Sequence, residues 1–112
     1  MTTEPLRRMP LRPFDRAAVG RLLATTAEEP LFHPTTALYR FFDGQLRLLY
    51  VGVTGQLCER WPKHRRKAEW WSAAEFVAVE HWRAMHLALD AERHAIRTEL
   101  PLFNRRSRTA GA

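Results

Sequence analysis

The chain has 112 residues, a 46% apolar composition and a formal net charge of +6. This length gives one small domain with a modest core. A single cysteine, Cys58, excludes an internal disulfide. No run approaches the ~20 apolar residues of a membrane span, and the N-terminus lacks an apolar leader, so the expected compartment is the cytoplasm.

The basic balance, with an isoelectric point near 10.7, favours a polyanionic partner, nucleic acid first. The charge is clustered. Arg60, Lys63, His64, Arg65, Arg66 and Lys67 crowd one segment, and Arg105, Arg106 and Arg108 crowd another.

Residues 1–35 read as an N-terminal extension that holds five of the seven prolines. Asp15 is placed to cap a short helix reaching about Ala27, with Ala18, Val19, Leu22 and Leu23 as its apolar stripe. So short a helix is marginal alone, and it is expected to dock on the sheet or on a partner subunit.

Residues 36–54 read as a β-hairpin. Aromatic and branched residues flank Asp43-Gly44, which suits a two-residue type I′ turn with Gly at positive φ. In that register Phe42 faces Gln45 and Tyr39 faces Leu48. Tyr39 and Tyr50 then leave the same face as diagonal neighbours. A pairing shifted by one residue would send the two rings to opposite faces.

A helix opens at Gln56 or Leu57, and Arg60 and His64, four apart, share one of its faces. Pro62 has no N–H for the carbonyl of Cys58, so it either kinks this helix or marks its first turn. Trp70 and Trp71 read as core or lid residues in preference to platforms for base stacking. FVAVEHW, residues 76–82, alternates as a third strand, with Glu80 and His81 as strand residues and not metal ligands. Residues 84–100 form the clearest helix, without internal Pro or Gly. Met85, Leu89, Glu92, Ile96 and Glu99 fall on one stripe, which turns the Glu92 carboxylate towards the sheet, where it needs compensation. Pro101 stops the helix, residues 102–104 are extended, and 105–112 form a basic tail. The expected fold class is α/β, a three-stranded antiparallel sheet flanked by helices.

Ala37-Leu38-Tyr39 followed by Tyr50-Val51-Gly52 resembles the paired triplets of the GIY-YIG nuclease superfamily. Ala and Leu stand for Gly and Ile in the first triplet, and Val for Ile in the second. Arg60-Trp61-Pro62-Lys63-His64 extends the resemblance. So do Ala88-Leu89-Asp90-Ala91-Glu92, Ala95-Ile96 and Pro101-Leu102-Phe103-Asn104. It covers residues 36–104 and nothing earlier.

The resemblance implies a metal-dependent endonuclease acting on DNA before RNA. Its catalytic residues would be Tyr39, Tyr50, Arg60, His64, Glu92 and Asn104, with one Mg²⁺ or Mn²⁺ ion on Glu92. Arg60 would offer a forked cation to the nonbridging phosphate oxygens. A tyrosine, Tyr39 preferred, would take the proton of the attacking water, and its ordinary pKa near 10 would need lowering by its neighbours. His64 would relay a proton or hold a phosphate. Asn104 would orient neighbours or bind backbone. Lys63, Arg65, Arg66, Lys67, Arg105 and Arg106 would meet the nucleic-acid backbone. The altered first triplet and Pro62 also suit a catalytically inactive nucleic-acid-binding module on the same fold. A third reading is an accessory subunit that docks an acidic protein on the basic helix.

Overall fold

Among the described residues, four antiparallel strands, not three, form the sheet, in the spatial order β1-β4-β2-β3. The computed structural model describes residues 4–16 and 36–104. In chain order the strands are β1 (Arg7–Pro13), β2 (Thr36–Phe42), β3 (Leu48–Thr54) and β4 (Phe76–Trp82). The helices are α1 (Leu57–Lys67) and α2 (Met85–Glu99), with a 3-10 turn at Trp71–Ala73. The class is α/β as expected; the added strand corrects the three-stranded sheet. Pro10 and Pro13 make β1 read as non-strand. It is an edge strand, however, and its pairing with β4 shifts between Met9 and Arg12, which takes Pro10 out of the ladder. The helix expected from Asp15 to Ala27 falls almost wholly outside the described residues. Among the described residues, no helix is long and apolar enough to cross a membrane.

Alternation along β2 divides the core. Ala37, Tyr39 and Phe41 join Leu57 and Trp61 of α1 on one face, and Leu38 joins Ala88, Ala95 and Ile96 of α2 on the other. Pro62 lies inside α1. A mid-helix proline costs about 3 kcal/mol. Trp61, fully buried, meets Phe14, Tyr39 and Phe41 edge-on at 5.7, 5.8 and 5.2 Å. Three such pairs, at roughly 0.5–1.5 kcal/mol each beyond burial, offset a cost of that size.

The stripe expected on α2 needs correction. Ala88, Ala95 and Ile96 are buried, whereas Met85 and Leu89 are 43% and 37% exposed. The small alanines form the contact with the sheet, which leaves the long side chains on the shoulder. Arg40 of β2 fixes this arrangement. Its Nε and Nη2 donate to the two carboxylate oxygens of Glu99, and its Nη1 donates to Glu80, all at 2.9 Å. Glu80 is thus an ion-pair partner.

The hairpin turn differs from the type I′ expectation. Asp43 N donates to Arg47 O and Leu46 N to Asp43 O, which closes a loop of Gly44, Gln45 and Leu46. Leu46 takes the left-handed conformation, at φ 62°, and no described glycine has positive φ. The Asp43 carboxylate accepts from Gln45 N, Arg47 N and Arg47 Nε, at 2.9, 2.9 and 2.7 Å. These bonds, the backbone N–H of Arg47 first, hold its carboxyl below the usual range. An odd loop alone would put the tyrosines on opposite faces. A β-bulge at Leu49 reverses that: Phe42 faces Leu48, yet Phe41 faces Tyr50. Tyr39 and Tyr50 therefore share a face, ring centroids 6.3 Å apart.

Leu46 is 55% exposed, so its side chain contributes little packing in exchange for its strained backbone. Leu46→Gly is expected to raise stability by about 0.5–1 kcal/mol in urea denaturation, after allowance for the freer unfolded chain.

Candidate active site

Tyr39 is the centre of the site. Its side chain is 0% exposed, and its phenol oxygen lies 2.7 Å from His64 Nε2. The Arg60 guanidinium is near enough to act on the same phenol, pulling its pKa down. The four-residue spacing within α1 delivers both residues to the same phenol. Tyr50 acts on Arg60 as well, so the exposed guanidinium feels both phenols. Burial works to lower the Arg60 pKa, but the two phenols hold it above its ordinary value.

Two side chains are tuned against their expected roles. Burial first, then Tyr50, pushes the Tyr39 phenol above its ordinary range, against the pull of Arg60. Both effects weigh against Tyr39 as the proton acceptor. It is sealed from solvent and holds its proton tightly, whereas Tyr50 is half-buried. Burial, and then the charge of Arg60, pushes His64 down to about 4. His64 is only 7% exposed. It is a neutral, buried hydrogen-bond partner of Tyr39 at pH 7 and not a cationic phosphate holder.

Gly52 explains how two phenols fit. It pairs with Tyr39 across the ladder. A Cβ there would lie 2.6 Å from Tyr39 Cζ and Oη and 2.8 Å from Tyr50 Cε2. Only a residue without a side chain lets the rings cross β3.

Glu92 comes from the helix on the other face. It is half-buried, and burial raises its pKa against the charges of Arg60 and Arg93. Its charge also acts on Tyr39. Tyr39, Tyr50 and His64 are thus in contact, and the charges of Arg60 and Glu92 reach them.

Asn104 has a different place. Its Oδ1 accepts from Val51 N at 2.9 Å, and its Nδ2 donates to Val51 O at 2.8 Å. Leu102 N and Phe103 N donate to Leu48 O and Leu49 O. Residues 102–104 therefore zip along the outer edge of β3, and Asn104 holds the Tyr50-Val51-Gly52 backbone. Of the candidate nucleic-acid contacts, Lys63, Arg65, Arg66 and Lys67 are exposed on α1. Arg105 and Arg106 lie outside the described residues.

Trp70 was legible only as a core or lid residue. Its ring stacks on Tyr50 at 4.8 Å and 17° and meets His64 at 4.9 Å. No periodicity links it to either, because it lies beyond the end of α1. The steric role of Gly52 also needs the register, which the turn alone does not supply.

Gly52→Ala is expected to destabilise the fold by roughly 1–3 kcal/mol, as overpacking does, and to displace the tyrosine ring signals in NMR spectra. The second expectation concerns pH. An unfolded imidazole titrates near 6.5, above the folded value of about 4. As pH falls through that window the unfolded chain binds a proton that the folded chain refuses. Stability should decline by up to about 3 kcal/mol from this group alone. Urea denaturation at pH 7 and pH 4.5 checks it, and His64→Gln should flatten the difference.

Comparison of the chain with protein-family models, with curated proteins and with solved structures finds no match to any of them.

Proposed function

We propose that the chain is a metal-dependent endonuclease that hydrolyses phosphodiester bonds in DNA, in the manner that its GIY-YIG-like motifs imply. One observation carries the reading: two tyrosine rings on one sheet face, one of them hydrogen-bonded to His64, lie within the electrostatic reach of a guanidinium, Arg60, on which a half-buried carboxylate, Glu92, also acts. That combination suits a dianionic transition state better than it suits an apolar core, where each of these groups is costly.

In this reading Arg60 meets the nonbridging oxygens with two parallel donors and a charge that pH does not remove. Tyr50, the less buried phenol, contacts the attacking water. Tyr39 and His64 keep Arg60 from turning away, and Asn104 keeps β3 in line. Lys63, Arg65, Arg66 and Lys67 meet flanking phosphates. Among the described residues no three His, Cys, Asp or Glu side chains gather to hold an ion. A divalent cation would rest on Glu92 alone, with water and phosphate completing its shell, which is a habit of Mg²⁺. When bound, Mg²⁺ or Mn²⁺ supplies Lewis acidity at the phosphate and a more acidic water.

The complete burial of Tyr39 favours a second reading, a non-catalytic nucleic-acid-binding module. Binding would then weaken with salt at a slope near −0.9 per phosphate neutralised, and Glu92→Ala would leave it intact or tighter.

A supercoiled-plasmid assay with Mn²⁺ or Mg²⁺ separates the two. The expected result is nicking by the native chain, reduced about 100-fold or more in Glu92→Ala and Arg60→Ala variants with unchanged circular dichroism. A native chain that leaves DNA and RNA intact across both metals and pH 6–9 overturns the nuclease reading.

A further inference from the structure

We propose that Trp70 is a positioning residue, the wall that fixes the Tyr50 phenol beside Arg60 and keeps His64 seated against Tyr39. The proposal rests on the nuclease reading and adds to it a residue that none of the motifs contains.

The geometry is specific. The indole lies nearly parallel to the Tyr50 ring, at 4.8 Å and 17°. It meets the His64 ring at 4.9 Å and 55°. Tyr50 and His64 also touch each other, centroids 5.0 Å apart at 68°. Trp70 is therefore a flat surface shared by two polar rings of the site, and it approaches both more closely than Tyr39 does. It is itself held firmly. It is 4% exposed and packs on Phe41 at 5.1 Å and on Trp71 at 5.8 Å. Its backbone is pinned by consecutive tight turns: Ala68 N donates to His64 O, Trp71 N to Ala68 O and Ala73 N to Trp70 O.

The consequence follows from torsions. Tyr50 is only half-buried, and its ring turns about two side-chain bonds. A stacked partner removes most of that freedom and favours one orientation. Without it the phenol oxygen sweeps an arc away from Arg60. A misplacement of about 1 Å at a reacting group can cost on the order of 100-fold in rate.

Trp71 supplies the matched control. It is also buried, at 7% exposure, and its ring packs on Phe14, Phe41 and Trp70. A purely structural tryptophan would behave like Trp71.

The test is plasmid-nicking kinetics for the native chain and the variants Trp70→Leu, Trp70→Phe and Trp71→Leu, each at a temperature where it is folded. The NMR spectrum of the ring-labelled tyrosines is recorded beside them. The chain has two tyrosines, and Tyr50→Phe assigns them. Trp70→Leu should lower kcat about 10- to 100-fold with KM within about twofold, and Trp70→Phe, which keeps a flat face, should restore most of it. Trp71→Leu should leave kcat within about threefold. Tyr50 ring flipping should quicken in Trp70→Leu and not in Trp71→Leu. If Trp70→Leu does not fold, Trp70→Met is read in its place. Equal losses in the two leucine variants, or an unchanged kcat in Trp70→Leu, overturn the role of Trp70 while native nicking stands. No nicking by the native chain overturns the nuclease reading itself, and this role with it.

Discussion

A buried phenol oxygen must have its hydrogen bonds, and the site follows from that requirement at Tyr39. Leaving such a group unsatisfied costs about 1–3 kcal/mol. Its partner is His64, with the charge of Arg60 one turn earlier acting on the same group, so the demand sets the rotation of α1 about its own axis. The same rotation buries Trp61 and turns Lys63, Arg65, Arg66 and Lys67 outward. Satisfaction of one polar atom inside therefore decides which charges face a partner outside. Gly52 is the complementary condition on β3, because a methyl group would occupy the space of that oxygen.

The second layer is fixed by different forces. α2 meets the sheet through alanines, which give contact area without a unique angular fit. The forked bond from Arg40 to Glu99, with Glu80 on its remaining nitrogen, supplies the direction. Glu92 lies two turns earlier on the same helix, and its half-burial follows from that anchoring. A buried aromatic cluster keeps the first layer rigid: Phe14, Phe41, Trp61, Trp70 and Trp71 meet at 5.0–5.8 Å. Rigidity on one face and an ion-pair clamp on the other hold the two strands and two helices that carry Tyr39, Tyr50, Arg60, His64 and Glu92.

Much of this was legible in the residues. The alternation of FVAVEHW and the unbroken helix-forming run after Ala84 are local signals, and β4 and α2 follow them. The hairpin strands were equally plain. β1 was not, because its prolines oppose a strand locally and only pairing with a distant segment overrides them. Of the order tyrosine, tyrosine, arginine, histidine, glutamate and asparagine, Tyr39, Tyr50 and His64 are in contact. What the order does not contain is their solvation. His64 in a run of basic residues reads as a surface group, yet Tyr39, Tyr50 and Trp70 enclose it. The sealing of Tyr39 likewise depends on Trp61 and Phe41, whose approach no spacing rule encodes.

The hairpin carries a further implication for how such a chain can change over time. Its odd loop and the extra residue at Leu49 are each a single-residue irregularity, and either alone would turn Tyr50 away from Tyr39. Insertions and deletions between these tyrosines are thus coupled: a gain at the tip is tolerable only with a matching gain or loss further along the ribbon. Drift in the length of this hairpin should proceed in paired steps, with the spacing of the two aromatic residues keeping its parity as its absolute value varies.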